Sequence, residues 1–89
     1  MNYKVLLHPK AADFLKKLDE KKREEIKKKL EALKERPEAG KHLKSFWSLR
    51  IGDYRAIYEI DRERNRVIVL FIGHRKDVYD VFQSFSEAR

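Results

Sequence analysis

The feature that most constrains the fold is the stretch of residues 49–58, in which two apolar, β-prone runs are separated only by Gly52 and Asp53. Glycine tolerates a positive φ and aspartate tolerates the left-handed region, so the pair predicts a two-residue hairpin turn. In that register Arg50 lies opposite Arg55, and opposed residues point to the same side of a sheet. Two guanidinium groups so placed repel each other unless an anion lies between them. A phosphate fits best, because its oxygens match a guanidinium in bidentate fashion.

Carboxylates of the same chain are the alternative partner for these arginines, and Asp53, Glu59 and Asp77 are the candidates. We favour an RNA phosphate, because it explains the opposed arginines with less coincidence. Alternation along the hairpin predicts a core face beneath the helices and a second face that helices do not cover. The predicted core face holds Trp47, Leu49, Ile51, Tyr54, Ala56 and Tyr58, and the other face holds Ser48, Arg50, Arg55 and Ile57.

Length and charge limit the class of protein. A chain of 89 residues forms one small domain with one small core, which we expect to span residues 1–89. Lys and Arg total 22 against 15 Asp and Glu, and this net charge of +7 favours a polyanion or an acidic protein as partner. The absence of cysteine excludes disulfides and zinc-thiolate sites. No apolar run has the layout of a signal peptide or the length of a membrane span, so we expect a cytoplasmic protein without a membrane partner.

Hydrophobic spacing predicts two helices after a first strand at residues 3–7. Pro9 suits the first turn of a helix, because its missing N–H costs little there. Asp19 is expected to cap a second helix that runs to about residue 36. The apolar stripes at helical spacing are Ala11, Phe14, Leu15 and Leu18 in the first helix and Ile26, Leu30 and Leu33 in the second.

Three further strands are predicted at about residues 43–51, 54–60 and 66–73, and a short helix or strand is expected from residue 77 onward. The run at residues 67–72 is apolar throughout, which is typical of a strand in the interior of a sheet. The element order is therefore β-α-α-β-β-β. It predicts an α+β fold in which a two-helix hairpin packs on one face of a mostly antiparallel four-stranded sheet.

The second helix carries many lysines, and their interpretation is mostly structural. Glu24 with Lys28 and Glu25 with Lys29 have the i,i+4 spacing and orientation that favour ion pairs. We therefore expect a solvated outer face stabilised by these pairs. The alternative is a phosphate-binding groove on this helix.

A second group of chemically active side chains lies at residues 73–79, where the apolar strand ends. It offers an imidazole, a guanidinium, an ammonium and a phenol, which are the groups that metal-free RNA cleavage requires. His74 has an unperturbed pKa suited to proton transfer near neutrality. Tyr79 could act as a base only if clustered cations lowered its pKa. The structural alternatives are an exposed strand end for His74 and packing at the core edge for Tyr79.

The element order, residues 49–58 and residues 73–79 together resemble the RelE/ParE toxin superfamily over about residues 2–82. The resemblance to RelE implies a toxin that enters the A site of a 70S-type ribosome and cuts mRNA there through attack of a 2′-hydroxyl, without a metal or other cofactor. It also implies a cognate RelB-like antitoxin, which neutralises the toxin by wrapping it. A toxin–antitoxin heterotetramer is one assembly that such a pair can form.

By motif position the resemblance assigns functional residues to this chain. The catalytic set is Arg55, Arg75, Tyr79 and His74, and the RNA-binding set is Arg50, Lys44, Ser48 and Lys76. Two departures from RelE stand out. A lysine of RelE is replaced here by Ser48, and the spacing from Gly73 to Tyr79 is shorter. Either His74 or Lys44 would have to compensate.

Two other functions fit the same resemblance. A ParE-like toxin would inhibit DNA gyrase rather than cut RNA, and the shared fold does not distinguish the two. A catalytically weak member would bind only RNA or an antitoxin, and Ser48 keeps this alternative open.

Overall fold

The computed structural model describes residues 2–78 and 80. Five strands and two α-helices account for most of them. The elements are β1 (Lys4–Leu7), α1 (Pro9–Lys16), α2 (Glu20–Glu31), two 3₁₀ turns (Ala32–Lys34 and Pro37–Ala39), β2 (Lys41–Leu43), β3 (Phe46–Ile51), β4 (Tyr54–Asp61) and β5 (Arg66–His74). Residues 75–78 and 80 are helical. Within the described ranges no helix is long and apolar enough to cross a membrane.

The five strands form one sheet in the order β1-β5-β4-β3-β2. Strand β1 runs parallel to β5 and the other neighbours are antiparallel, which confirms the predicted α+β class. The predicted strand at residues 43–51 is in fact two strands, β2 and β3, so the sheet has one more strand than expected. The chain turns between them at Lys44, whose φ of 57° lies in the left-handed region and breaks the extended run.

The helix boundaries follow the predicted signals. Pro9 occupies the first turn of α1, and the Asp19 carboxylate accepts a hydrogen bond from the Lys22 N–H at 2.9 Å at the start of α2. The inward-facing side chains of the two stripes are at most 3% exposed, and they are Ala11, Leu15, Ile26, Leu30 and Leu33. Phe14 and Leu18 are half-buried against them.

The predicted ion pairs of α2 are wrong. Within the part of the chain that the structure describes, Glu24 and Lys28 do not come within 4.0 Å, and neither do Glu25 and Lys29; the pair that forms here joins Lys34 to Glu31 at 2.8 Å. Exposed ion pairs gain little free energy, because solvent screens them and two long side chains must be ordered. Lys27, Lys28 and Lys29 are exposed on the outer face of α2, whereas the Lys22 ammonium lies 5.8 Å from the centre of the Tyr54 ring.

Arg23 connects the end of α1 to α2. Its Nε donates a hydrogen bond to the Leu15 carbonyl at 3.1 Å, and its Nη2 donates one to the Leu18 carbonyl at 2.8 Å. Leu15 lies in the last turn of α1, where a cation complements the helix dipole, and Leu18 lies in the linker before α2. The guanidinium thus fixes the angle of the helical hairpin.

The sheet face beneath the helices is the core face that the hairpin alternation predicts. Ile51, Tyr54, Ala56 and Tyr58 belong to the main core cluster, and Trp47 and Leu49 pack against it. The buried Tyr58 hydroxyl donates to the Pro37 carbonyl at 2.7 Å and accepts from the Gly40 N–H at 3.0 Å. It thereby fastens the loop between α2 and β2 to the core. Burial is the main reason why the pKa of Tyr58 is raised above its usual value.

The opposite face of the sheet carries a second, smaller core. Phe46, Ile57 and Val78 are at most 3% exposed, and Leu70 and Phe71 pack against them. The register passes from Ile57 opposite Phe71 to Tyr58 opposite Val69, so Leu70 is the extra residue of a β-bulge. This cluster, together with residues 75–78, covers part of the face that we expected to be free of helices.

Gly73 permits this second core. A Cβ placed there would lie 2.9 Å from Val78 Cγ2, which is closer than real Cβ contacts allow. The missing side chain therefore leaves room for residues 75–78 to pack back against the sheet. Most of the tail predicted from residue 77 onward lies outside the described residues.

Replacing Arg23 by Ala should lower the free energy of unfolding by about 1.5–3 kcal/mol, because the Leu15 and Leu18 carbonyls lose a charged donor. Urea denaturation measures this loss. Lys27→Ala, a change at an exposed position of the same helix, is the matched control and should stay within about 0.5 kcal/mol of the parent. Equal stability of the two variants would show that the Arg23 bonds contribute nothing.

Replacing Tyr58 by Phe should lower the free energy of unfolding by about 1–3 kcal/mol near neutral pH, because the Pro37 carbonyl and the Gly40 N–H lose their partner. A second consequence appears at high pH. Because the folded-state pKa lies above the unfolded value of about 10, the contribution of Tyr58 is complete below pH 10 and is lost as pH rises through the folded-state pKa. Stability should therefore fall less steeply above pH 10 in Tyr58→Phe than in the parent. An equal fall in the free energy of unfolding above pH 10 in the parent and in Tyr58→Phe would contradict this role.

Candidate nucleic-acid interface

The β3–β4 hairpin has the register that its sequence predicts. Ile51 lies opposite Tyr54, and Arg50 lies opposite Arg55. Gly52 takes a φ of 60°, whereas Asp53 does not have a positive φ, so the glycine alone supplies the unusual conformation of the turn. The two arginines therefore share one face of the sheet, on the side away from α1 and α2.

Arg55 and Arg50 differ in how firmly they are held. Arg55 is half-buried beside the second core, and its Nη1 donates a long hydrogen bond of 3.4 Å to the Ser48 hydroxyl. Ser48 itself is only 2% exposed. Arg50 is exposed at the same end of β3. The structure thus places Ser48, a predicted RNA-binding residue, beneath the surface as a support for Arg55.

A third arginine, Arg75, directly follows β5 and lies next to the β3–β4 turn. Gly73 lies opposite Arg55 in the register, and the chain turns into the helical residues 75–78 directly after β5. The Arg75 N–H donates to the Asp53 carbonyl at 3.0 Å, which fixes the backbone of Arg75 against the hairpin turn. We call Arg50, Arg55 and Arg75 the arginine corner.

An open cleft of about 350 Å³ lies beside this turn. It is lined by Asp53, His74, Arg75, Lys76 and Asp77. Arg75, a predicted catalytic residue, and Lys76, a predicted RNA-binding residue, are both exposed there. The two carboxylates lie near these cations, but among the residues described none forms an ion pair within 4.0 Å with Arg50 or Arg75. Both guanidinium groups are therefore available to an external anion.

His74 lines the same cleft as Arg75, but it lies on the opposite side of the sheet from Arg50 and Arg55. His74 pairs with Tyr54, a core-face residue, and its ring lies 4.7 Å from the Tyr54 ring. Alternation along β5 places Gly73 on the arginine side and His74 on the helix side. There His74 lines a second cleft, of about 450 Å³, between α1 and the end of β5.

Lys44 is also separated from the arginines. It lies in the β2–β3 turn, whereas Arg50 lies at the opposite end of β3. Four residue steps of about 3.3 Å separate Phe46 from Arg50, so Lys44 lies roughly 13 Å or more away along the strand. Tyr79, the remaining predicted catalytic residue, lies outside the described residues.

Two features of this face were not predicted from the sequence. The Ser48 hydroxyl accepts a hydrogen bond from Arg55, and Lys41 belongs to the sheet. Lys41 lies opposite Ser48 in the β2–β3 register, on the same face as the arginines. A turn at Lys44-Ser45, in place of one strand over residues 43–51, pairs Lys41 with Ser48.

Comparisons with known proteins agree with this fold. Residues 5–79 match the family model described as the ParE toxin of type II toxin-antitoxin systems, parDE. The toxin-antitoxin complex RelBE2 from Mycobacterium tuberculosis is similar with a TM-score of 0.77 and 30% identity, over 84% of this chain and 100% of that chain. A doubly substituted variant of the E. coli toxin RelE in the free state gives a TM-score of 0.75 and 31% identity, over 90% and 93%.

The intact E. coli RelBE toxin-antitoxin complex is also similar, with a TM-score of 0.69 and 27% identity over 81% of this chain and 95% of that chain. A search of curated protein sequences found no match. The family model covers most of the chain, and the structural likeness extends over nearly the whole length of each of these toxins. The chain therefore belongs to the RelE/ParE toxin superfamily, as a toxin of a type II toxin-antitoxin system.

Proposed function

We propose that this toxin is a metal-independent endoribonuclease that cuts mRNA in the ribosomal A site. The observation that supports this function is the arginine corner: Arg50 and Arg55 are directly opposed on one face, and Arg75 is fixed beside their turn. Opposed like charges repel each other across a strand pair, and an anion bound between them relieves that repulsion. The scissile phosphate of RNA is the anion that we assign to it.

The proposed reaction moves two protons and builds charge on phosphorus. The 2′-hydroxyl loses its proton and attacks the adjacent phosphate, the bond to the 5′-oxygen breaks, and that oxygen gains a proton, leaving a cyclic phosphate. Arg55 is suited to stabilise the charge of the phosphorane, because Ser48 and the apolar cluster around Ile57 hold it in place before the substrate arrives. A donor fixed in advance costs no reorganisation when the charge develops.

The other cations take positioning roles in this proposal. Arg50 is exposed and binds a phosphate from the solvent side. Arg75 and Lys76 line the cleft, along which the RNA strand can continue. Proton transfer is assigned to Tyr79 by motif position alone. His74 also lines that cleft, at the end of β5, but it lies on the helix side of the sheet, away from Arg50 and Arg55.

We expect cleavage to depend on the ribosome because a strong base is missing beside the arginines in the described part of the site. No strong base stands beside the arginines among residues 2–78, so the isolated protein should cut free RNA slowly. A ribosome that holds mRNA in an attack geometry would supply orientation, which can account for much of a reaction barrier.

The proposed protein partner is a RelB-like antitoxin. The related M. tuberculosis and E. coli structures are complexes of toxin and antitoxin. A surface with a net charge of +7 and three clustered arginines favours an antitoxin segment that carries carboxylates and folds on binding.

Inhibition of DNA gyrase is the second candidate, and the family model that carries the ParE description favours it. Inhibition of gyrase would need a surface that binds a protein, whereas RNA cleavage needs groups that stabilise the negative charge of a phosphorane. The cleavage assay below therefore separates the two functions.

Replacing Arg55 by Ala should lower the rate of mRNA cleavage by about 10²–10³-fold, the cost of removing one donor to a transition-state charge. The assay is a translation extract that contains the toxin, followed by mapping of the new mRNA 5′ ends at A-site codons. Lys27→Ala, an exposed change on α2, should cut like the parent. Circular dichroism and urea denaturation should show that Arg55→Ala remains folded.

Two outcomes would contradict the proposal. Unchanged cleavage by folded Arg55→Ala would remove Arg55 from the mechanism. Inhibition of DNA supercoiling by the parent toxin, with intact mRNA in the extract, would establish the gyrase function instead.

A further inference from the structure

We propose that Lys41 supplies the arginine corner with an additional phosphate-binding ammonium group, across the strand from Ser48. This inference rests on the proposed function, and it names a residue to which neither the motif comparison nor the sequence analysis gave a role. Its basis is the register of β2, in which Lys41 lies directly opposite Ser48.

The register places Lys41 on the face of the arginines. Directly opposed residues of an antiparallel pair lie about 4.5–5.5 Å apart and point to the same side of the sheet. Ser48 and Arg50 alternate onto one face of β3, and Arg55 binds the Ser48 hydroxyl from β4. The side chain of Lys41 therefore begins next to the support of Arg55.

The small size of Ser48 matters for this arrangement. Ser48 is 2% exposed and ends in a hydroxyl, so it presents no charge of its own to a ligand. The flexible four-carbon stem of a lysine can extend across such a short neighbour. An ammonium can thus reach the space beside Ser48 from β2.

The backbone that carries Lys41 is held firmly. The Gly40 N–H donates to the Tyr58 hydroxyl at 3.0 Å. A Cβ on Gly40 would lie 2.7 Å from the Ser48 carbonyl oxygen, so the glycine allows the chain to approach β3 closely at this point. Lys41 therefore enters the sheet from a fixed position, unlike Lys44 in the turn.

The ammonium of Lys41 is not committed to a carboxylate. Lys41 is exposed on the edge strand β2, and within the described ranges it forms no ion pair within 4.0 Å. An edge strand also leaves its side chain open to a ligand that approaches along the outer face.

The test measures single-turnover cleavage of mRNA on programmed ribosomes by the full-length toxin, at several salt concentrations. Lys41→Ala should lower the rate at subsaturating toxin by about tenfold, as expected for the loss of one charge-assisted hydrogen bond. It should also reduce the slope of log rate against log salt by about 1, because one phosphate contact is lost. Lys41→Arg keeps the charge and should restore both values, which a structural role would not predict.

Matched variants separate the outcomes. Lys27→Ala removes an exposed lysine of α2, on the other side of the sheet, and should behave like the parent. A parent-like rate and salt slope in Lys41→Ala, with a strong loss in Arg55→Ala, would overturn the Lys41 proposal alone. A loss in Lys44→Ala instead of Lys41→Ala would overturn it in favour of the turn lysine. No loss in Arg55→Ala would overturn the endonuclease function, and the role of Lys41 with it.

Discussion

The direct opposition of Arg50 and Arg55 across a two-residue turn is the constraint from which the rest of the site follows. Neighbouring guanidinium groups on one face repel each other, so the free protein must tolerate that repulsion. The surroundings make it tolerable: Ser48 accepts a hydrogen bond from Arg55, Arg50 remains in solvent, and the Gly52 turn fixes both strands. In the function that we propose, a phosphate that bridges the two guanidinium groups offsets this repulsion.

The two faces of the sheet differ in structure: one carries the main core, and the other carries the surface to which we assign binding. The helix side holds the main core, fastened by Arg23 at the helical hairpin and by Tyr58 at the loop before β2. The outer side holds a smaller core next to the arginines, built around Ile57 and Val78. The missing side chain of Gly73 gives Val78 room to join that small core, and on the same face Arg55 is half-buried and Arg50 is exposed.

Local signals in the sequence predicted much of this fold. Gly52-Asp53 determined the hairpin register, and Pro9 and Asp19 marked the helix starts, because each acts through its own backbone geometry. Features that depend on distant contacts were missed. Alternation counted only along the hairpin could not show that residues 75–78 return over Gly73, nor that His74 faces Tyr54 rather than the arginines. Lys44 adopts a positive φ, which lysine disfavours, so no residue near it predicts that the chain turns between β2 and β3.

Thermal unfolding of the parent and of Arg50→Ala, each with and without a non-cleavable 2′-deoxy oligonucleotide, tests the central claim most directly. Without the oligonucleotide, Arg50→Ala should be at least as stable as the parent, because the repulsion with Arg55 is relieved. With the oligonucleotide, the parent should gain more stability than the variant, because binding to the native state raises the melting temperature. A variant that is less stable alone and gains as much from the oligonucleotide would show that Arg50 serves the fold and not a phosphate.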